Sequence, residues 1–374
     1  MLHQRCLGTL LLALLAGCTA EVSQEVPGER FVQSSQDALS GQSWKLWMPA
    51  PGSVNTNIPV CFEPNSGFNA TEQADIRAKA NAWNGAASRI TFTGWGQCVY
   101  GPFNTSPAGI HVSKSDKCDV DGIGSGISGV RNGLTLVDTS ASCVVHEFGH
   151  ALGFTHEQER TDNTVCGADQ TQSEPDLGMT AFDNNSVMSY CGPNTGVLTN
   201  LDILGARSVY GSFNQSIPYS NFGNTRYAVR ASNGDYMRAD DSPHDVLADQ
   251  DHIEVQEKFW IDRVTGSDTN LRYGDQVAFM THDYYYLRAL PSGNNWSVDK
   301  ATTRGAAETW TIVKANSPTS VGGLVYVNDE VAFRSSYGRY LYRGTDENVR
   351  AHNVNIGSRE KWRLLWLPFS GGVI

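Results

Sequence analysis

Twelve residues in the middle of the chain determine the local fold and carry the chemistry: His146-Glu147-Phe148-Gly149-His150-Ala151-Leu152-Gly153-Phe154-Thr155-His156-Glu157. His146 and His150 are four residues apart, so on a helix they lie one turn apart on the same face. Both imidazoles can then reach one metal ion. Val144, Phe148 and Ala151 recur at helical spacing on another face, as a half-buried helix requires.

The predicted helix has a start signal and a stop signal. Asp138, Thr139 and Ser140 offer side-chain oxygens that cap a helix N-terminus. Gly153 is expected to end the helix, because glycine tolerates the left-handed conformation that turns the chain sharply. That turn would bring His156 to the same ion as a third ligand. Three imidazoles leave a fourth coordination position for water, which is typical of a catalytic zinc ion. We therefore expect one zinc ion per chain.

The extended pattern is far more specific than its first half. A bare H-E-x-x-H occurs often by chance, whereas H-E-x-x-H-x-x-G-x-x-H rarely does. Packing in a core would explain each histidine taken singly. It does not explain the three histidines together with Glu147 and Gly153. The chain resembles the metzincin clan of zinc endopeptidases, which carries this signature. Phe154, Glu157 and Arg160, in the run GFTHEQER, resemble the astacin branch of that clan.

A second run, Ser186-Val187-Met188-Ser189-Tyr190, resembles the Met-turn of the same clan. The resemblance implies that Met188 lies beneath the metal site. It also implies that Tyr190 acts as an extra ligand and as a donor to the transition state. The alternative is a core methionine and tyrosine in an ordinary turn.

Other features depart from the astacin pattern. Astacins usually carry R-x-D-R-D after the zinc motif, whereas this chain has Arg160-Thr161-Asp162-Asn163, and Ser189 stands where histidine is usual. Residues 19–50 contain neither the inhibitory acidic motif of astacin pro-segments nor a cysteine switch. We therefore expect an astacin-like or matrixin-like bacterial metzincin, with its subfamily and zymogen control left open.

The residue types predict peptide-bond hydrolysis. Zinc lowers the pKa of bound water and polarises a carbonyl group. Glu147 is adjacent to a ligand without being one, and it is placed to take the proton of the water and later to protonate the leaving amine. Tyr190 is a plausible partner of the tetrahedral oxyanion. The expected partner is a protein or peptide substrate.

The surroundings predict an α+β catalytic domain over residues 44–211, as the metzincin (zincin-like) resemblance implies. Strands are expected at residues 58–62, 90–93, 109–112 and 133–137. A helix is expected over residues 71–83, because Asn69 and Glu72 resemble a capping box and Ile76, Ala80 and Trp83 share one face. The run Asp119-Val120-Asp121-Gly122 is interpreted as a glycine-rich turn, since it lacks the ligand spacing of a calcium loop.

The N-terminus predicts export. Arg5 precedes the apolar run of residues 7–16, which has the length of a signal-peptide core and is too short to span a membrane. Leu15-Ala16-Gly17-Cys18 resembles the lipobox of bacterial lipoproteins, which implies a signal peptide over residues 1–18 and a lipid on Cys18. The alternative is an ordinary signal peptide cut after Ala20. Residues 19–43 are interpreted as a tether or a short pro-segment. The expected location is the bacterial cell envelope, at the outer membrane with lipid as the sole membrane contact, or the extracellular space.

Cysteine usage agrees with export. Beyond the leader, the cysteines are Cys61, Cys98, Cys118, Cys143, Cys166 and Cys191. An even number in an exported chain predicts up to three disulfides of unknown pairing, with Cys166–Cys191 preferred. A zinc–cysteine site is the alternative, and the wide spacings disfavour it. All six precede residue 192, which indicates a second domain without cysteine.

That second domain is predicted at residues 225–368 as an all-β barrel with three repeats. The period is about 50 residues. Tyr236, Tyr286 and Tyr340 begin the related runs Y-M-R-A, Y-L-R-A and Y-L-Y-R, and the units end in E-K-F, E-T-W and E-K-W. Short strands between Gly, Asn and Asp turns argue for an all-β fold. The pattern resembles β-trefoils, of the fascin-like more than the ricin-like type.

The second domain could bind a carbohydrate, bind a protein or have a purely structural role, and its sequence leaves these alternatives open. If the ligand is a sugar, Trp296 and Tyr284-Tyr285 are the candidates for stacking on its ring. The net charge of −11 argues against nucleic acid, which needs a basic face. Two functions are therefore weighed. One is an active zinc endopeptidase aimed by its trefoil, and the other is a carbohydrate- or protein-binding surface lipoprotein with an inactive metzincin scaffold.

Overall fold

The computed structural model describes part of the chain, and all of it lies in one unit, Ser34–Ile374. The described residues are 40–86, 88–160, 163, 165, 177–213, 216–220, 225–241, 246–265, 268–291 and 296–367. Cys18, the signal peptide and most of the tether therefore lie outside them. None of the helices in the described part of the chain combines the length and the apolar character of a membrane span.

Within the described residues up to 213, which we call the first half, there are seven strands and four α-helices. The strands are β1 (Ser40–Gly41), β2 (Thr56–Phe62), β3 (Ile90–Gln97), β4 (Ile110–Lys114), β5 (Asp119–Val120), β6 (Leu134–Leu136) and β7 (Leu177–Gly178). The helices are α1 (Ala70–Ala80), α2 (Ala82–Gly85), α3 (Ala141–Ala151) and α4 (Asn200–Tyr210). Short 3-10 segments occupy Ser43–Lys45, Pro102–Asn104, Gly124–Ile127, Glu157–Glu159 and, in the second half, Ser358–Glu360.

Five of these strands form one sheet in the order β3-β2-β4-β6-β5. Four run parallel, and β5 pairs antiparallel with β6 at one edge. The zinc-motif helix α3 follows β6, and its apolar face packs into a core that contains Val144 and Phe148. The α+β expectation for this half is confirmed.

The predicted helix over residues 71–83 is interrupted. Asn69 and Glu72 form the predicted capping box, and Ile76, Ala80 and Trp83 are all buried. The helix ends at Ala80, however, because Asn81 turns at φ −66° and ψ −4°, and the chain restarts as α2. Asparagine is a poorer helix former than the alanine and lysine residues before it, which favours a break there.

The strand predicted at residues 90–93 is longer and reaches Gln97. Gly94 and Trp95 have positive φ angles of 88° and 64°. The register against β2 shifts between Val60 and Cys61, as at a β-bulge. The glycine accounts for the missed length, because glycine inside a strand marks such a bulge rather than the end of the strand.

The described residues from 216 onward, which we call the second half, contain twelve strands in one antiparallel sheet. They are β8 (Arg226–Ala231), β9 (Tyr236–Ala239), β10 (Val246–Gln250), β11 (Trp260–Arg263), β12 (Gln276–Met280), β13 (Tyr286–Leu290), β14 (Ser297–Ala301), β15 (Trp310–Lys314), β16 (Glu330–Ser335), β17 (Tyr340–Arg343), β18 (Val349–Asn353) and β19 (Trp362–Leu367). Seven of them close a ring, β16-β15-β12-β13-β14-β18-β17 and back to β16. The all-β barrel expectation is confirmed.

The two halves share buried contacts. Arg89 donates to Asp329 Oδ1 at 2.9 Å, and Asn328 donates to the carbonyl oxygen of Val209 at 2.6 Å. The core of the first half continues into Ala228, Tyr236, Ile253, Leu365 and Leu367 of the barrel. The domain limits at residues 211 and 225 therefore stay a prediction.

Candidate metal centre

Helix α3 presents the first two histidines as the sequence predicts. Ser140 caps it by accepting a hydrogen bond from the Cys143 amide at 3.4 Å. The helix ends after Ala151, and Gly153 takes φ +100°, which confirms the predicted left-handed turn. Phe154 N donates back to the carbonyl oxygen of Gly149 at 3.1 Å, so the chain reverses over the helix end.

That reversal brings the three histidines together. Their Nε2 atoms are separated by 3.1 Å (His146–His150), 3.2 Å (His146–His156) and 2.9 Å (His150–His156). Tetrahedral zinc with Zn–N bonds near 2.0–2.1 Å places ligand nitrogens about 3.3 Å apart. The observed spacing therefore fits one zinc ion.

The outer nitrogen of each ring is already committed. His146 Nδ1 donates to Val187 O at 2.6 Å, and His150 Nδ1 donates to Phe154 O at 2.7 Å. His156 Nδ1 faces Glu159 Oε1 at 2.8 Å. These acceptors place the ring proton on Nδ1, so each Nε2 keeps its lone pair for a metal. Three unprotonated Nε2 atoms cannot bond to one another, so their convergence calls for a cation.

Burial keeps two of the imidazoles neutral. It lowers the pKa of His146 to about 4, against the hydrogen bond to Val187. Burial likewise lowers the pKa of His150 well below its ordinary value, with help from the other two histidines. Metal ligation requires the neutral form, so the pocket favours the binding form at neutral pH.

Glu147 is 3% exposed, within the same helix. Burial, followed by the charge of Asp119, raises its pKa to about 8, and Lys117 opposes this. A bound dication would act in the opposite direction, because positive charge favours the carboxylate. Asp119 and Lys117 flank Cys118, which is bonded to Cys143 of the zinc helix.

Tyr190 lies over the histidine cluster. Its hydroxyl is 3.1 Å from His146 Nε2, its ring stacks on that of His146 at 5.0 Å, and the residue is 63% exposed. Burial of the hydroxyl, followed by the charges of Glu147, Glu159 and Asp119, raises the pKa of Tyr190 to about 12. The phenol is therefore neutral and can donate a hydrogen bond.

Met188 is fully buried beneath the zinc helix, and a Cβ on Gly149 would overlap its sulfur. Asp202 of α4 organises the turn that carries it. Its carboxylate accepts from Ser186 Oγ at 2.5 Å and from Val187 N at 3.2 Å. The Met188 carbonyl then accepts from Glu157 N at 3.0 Å. The turn and the zinc motif are thus linked on both sides of the histidine cluster.

Sequence reasoning missed several supporting residues. Glu159 lies three positions after His156, a spacing that was a usable signal within the 3-10 turn. No sequence pattern indicated a role for Asp202 or Trp47. Trp47 Nε1 donates to Ala151 O at 2.7 Å from a position 104 residues away, and Gln42 N donates to Gly153 O at 3.1 Å. The N-terminal segment of residues 42–47 therefore covers the end of the zinc helix.

Phe154, Glu157 and Arg160, the residues that resemble the astacin branch, are all buried. Arg160 Nε lies 3.7 Å from Glu157 Oε2, and that carboxylate accepts from Asp183 N at 3.1 Å. Thr161 and Asp162, which depart from the astacin pattern, lie outside the described residues.

Two disulfides are described, Cys61–Cys98 and Cys118–Cys143. Cys191 is also disulfide-bonded. Its preferred partner, Cys166, lies outside the described residues, so that pairing stays a prediction. Disulfides are typical of exported proteins.

Residues 53–166 match the family model of the astacin peptidases. The matched segment includes the three histidines and Glu147, and it covers less than half of the chain. The match supports a zinc-dependent peptidase. No curated protein matches the chain.

Solved structures with some similarity include myroilysin, a hatching enzyme zinc-protease and an O-mannosyltransferase complex. Myroilysin is 20% identical (TM-score 0.33), covering 46% of this chain and 98% of its own. High choriolytic enzyme 1, a hatching enzyme zinc-protease from Oryzias latipes (medaka fish), is 21% identical (TM-score 0.34), covering 44% and 94%. The S. cerevisiae protein O-mannosyltransferase Pmt1-Pmt2 complex is 14% identical (TM-score 0.32) over 42% of this chain, which spans 27% of that chain. None of these scores is high enough to support an inference about fold or function.

Proposed function

We propose that this protein is an astacin-like zinc endopeptidase with His146, His150 and His156 as metal ligands. The observation that carries the proposal is the convergence of three Nε2 atoms whose partner nitrogens all face an acceptor. A packing role would account for one buried and two partly buried histidines, but it would not direct three lone pairs at one point. The fourth tetrahedral position remains for water.

Zinc held by these ligands would lower the pKa of water and polarise the scissile carbonyl. Glu147 accepts the proton of the attacking water and passes it to the nitrogen of the leaving amine, so the proton balance closes within one turnover. Tyr190, a neutral donor beside the histidines, donates a hydrogen bond to the carbonyl oxygen as negative charge develops there.

The decisive comparison is the full chain against its Glu147→Gln variant, with hydrolysis of a denatured protein and zinc content as the readouts. Glutamine keeps the shape of the side chain but cannot accept the proton, so we expect hydrolysis to fall by at least about a hundredfold. Zinc should remain at one per chain. Glu254→Gln, an exposed barrel position with a side chain 71% exposed, is the matched control and should change neither readout.

If neither the wild type nor the variant cleaves while zinc is bound, the peptidase proposal fails. The alternative would then stand, namely a surface-binding protein whose metzincin half is only a scaffold. If Glu147→Gln cleaves as well as the wild type, Glu147 is not the base.

For the barrel we propose a β-trefoil fold that aims the peptidase. The support is a threefold repeat of one contact. Glu257, Glu308 and Glu360, which stand in the repeated E-x-F/W endings, each accept a backbone N–H three residues earlier at 2.7 Å. Each repeat also supplies four strands, β8–β11, β12–β15 and β16–β19. Removal of the third repeat should abolish cooperative unfolding of the barrel, because a symmetric barrel closes only with all three units.

For the N-terminus we propose cleavage before Cys18 and lipid attachment to its thiol. The support is the lipobox-like run and the apolar core before it. Mass spectrometry of the mature protein should find an acylated N-terminal cysteine, and Cys18→Ala should release the protein from membranes. An unmodified N-terminus at Glu21 would instead favour an ordinary signal peptide.

A further inference from the structure

An aromatic cluster with an exposed ring lies on the barrel, distant in sequence from the zinc motif. It consists of Arg226 on β8, Trp260 on β11 and Tyr284 in the turn between β12 and β13, and we name it the open cluster. The rings of Trp260 and Tyr284 stack at 5.6 Å with an interplanar angle of 18°. The Arg226 guanidinium lies over the Trp260 ring at 4.3 Å.

The Tyr284 ring is exposed to solvent, and the backbone of Tyr284 is strained. Tyr284 is 56% exposed, whereas Trp260 beneath it is 5% exposed. Tyr284 has φ +64°, a conformation that side chains with a Cβ rarely adopt. Glycine would be easier at this turn, so the tyrosine side chain is retained at a cost, which is typical of a functional position.

The polar groups of the open cluster lack partners. Arg226 makes no hydrogen bond or ion pair with the described residues, and its Nε is buried. Trp260 Nε1 and the nearby His282 Nδ1 are likewise buried without a partner in the described part of the chain. Burial lowers the pKa of Arg226, but a guanidinium stays charged in proteins. Arg226 is therefore a half-buried cation without an ion-pair partner among the described residues, and an anion placed beside it would compensate for its partial desolvation.

A second cluster of the same composition shows what a satisfied arrangement looks like. Arg339, Trp296 and Tyr337 form the closed cluster, in which Arg339 lies over Trp296 at 5.2 Å. Arg339 Nη1 donates to His352 O at 3.0 Å. The Trp296 and Tyr337 rings cross at 66° rather than stacking. Its guanidinium is paired, so the missing partner is a property of the open cluster and not of an Arg–Trp–Tyr composition.

We propose that the open cluster binds an acidic saccharide, one that carries a uronic acid. The flat, exposed Tyr284 ring offers a face for the C–H side of a sugar ring. Arg226 pairs with the sugar carboxylate, for which its planar fork is suited. The Asp241 carboxylate, which is 79% exposed and 3.3 Å from His282 Nε2, can accept a hydrogen bond from a sugar hydroxyl.

A free carboxylate without a sugar ring would satisfy Arg226 but would leave the stacked rings and the other donors unused. A neutral sugar would stack on Tyr284 but would leave the guanidinium unpaired. An acidic saccharide uses both the exposed Tyr284 ring and the Arg226 guanidinium. The inference concerns binding by the barrel alone, so it does not depend on the proposed peptidase activity.

The test is calorimetric titration of the full chain in low salt. The probes are oligomers of galacturonate, glucuronate and mannuronate, with neutral galactose oligomers of equal length as comparison. We expect at least one acidic oligomer to bind about tenfold or more tightly than the neutral one, since a charge-assisted pair adds that much. Its binding should weaken in high salt.

Substitutions in the open and closed clusters test whether the acidic oligomer binds at the open cluster. Tyr284→Ala should weaken binding about threefold to tenfold, the range of one aromatic contact. Arg226→Gln should remove the preference for acidic over neutral oligomers. Tyr337→Ala, in the closed cluster and 45% exposed, is the matched control and should leave binding unchanged.

The proposal is overturned if no acidic oligomer binds, or if acidic and neutral oligomers bind equally. It is also overturned if Tyr284→Ala and Tyr337→Ala have the same effect. Should Arg226→Gln fail to fold, the exposed Tyr284→Ala variant and the salt dependence still decide between the outcomes.

Discussion

Gly149 provides a sharp test of how tightly the zinc helix packs on the turn beneath it. It is a buried residue of α3, between two metal-ligand positions. A Cβ at this position would overlap the sulfur of Met188 and lie 3.0 Å from Trp83 Cζ2. We therefore predict that Gly149→Ala destabilises the protein, although alanine is the better helix former.

The magnitude follows from two opposing effects. Replacing glycine by alanine inside a helix normally stabilises by about 0.5–1 kcal/mol. Overpacking a filled core costs about 1–3 kcal/mol, because neighbours are forced off their preferred positions. Both Met188 and Trp83 are fully buried and have little room to move. The overlap with Met188 places the cost in the upper part of that range, about 2–3 kcal/mol, so the net expectation is a loss of about 1–2.5 kcal/mol in the free energy of unfolding.

The assay is urea unfolding, with Gly85→Ala as the matched control. Gly85 ends the short helix α2, and a Cβ there would have no atom within 4 Å. Gly85→Ala is therefore expected to leave stability unchanged or to raise it by up to about 1 kcal/mol. The same substitution should thus act in opposite directions at the two positions.

A double variant tests the cause. Met188→Ala alone should cost about 2–5 kcal/mol as a cavity forms. In Gly149→Ala/Met188→Ala the added methyl no longer meets the sulfur, so the two costs should sum to less than their separate values. The packing argument is refuted if Gly149→Ala is as stable as the wild type, or if the two costs simply add.

Three further predictions concern the scaffold. Asn69→Ala removes the cap of α1 and should lower the free energy of unfolding by about 1 kcal/mol in urea titration; an unchanged midpoint would contradict the cap. Burial acts to raise the pKa of Glu63, but hydrogen bonds from Tyr100 and His111 outweigh it and hold the pKa below 4.5. The stability that this carboxylate contributes is therefore present above about pH 4.5 and is lost as the pH falls through the lower pKa of the folded state. Glu63→Gln should remove this pH dependence and flatten the acid limb of a plot of Tm against pH. An unchanged acid limb would refute this role of Glu63. Replacing both Cys118 and Cys143 by serine opens a bridge between residues 25 apart and should cost about 2–4 kcal/mol in urea; no loss would show that the bridge is dispensable.

Much of the site was predictable because its geometry is local. The spacing of His146 and His150 needs only a helix, and the approach of His156 needs only a left-handed glycine at position 153. The capping box of α1 is equally local, since a cap is formed by residues three apart. In the barrel, recurrence of the same residues at a fixed period indicated equivalent strands.

The parts that were not predictable depend on residues far apart in the chain. The partner of His146 Nδ1 is a carbonyl 41 positions away, held by Asp202 of another helix. The break at Asn81 and the bulge at Gly94 depend on how α1, α2 and the sheet pack against one another in the folded domain. No periodicity encodes such contacts.

The zinc motif, the helix that carries it, the glycine turn and the all-β repeats can all be predicted from the amino-acid order. Each of these follows from neighbours a few residues apart or from a recurring pattern. In contrast, the folded molecule is needed to know which nitrogen of each histidine is free and where Tyr190 lies. The same holds for the absence of an ion-pair partner of Arg226 among the described residues. These depend on which atoms meet after the chain has folded, because a hydrogen bond is defined by positions in space and not by spacing along the chain.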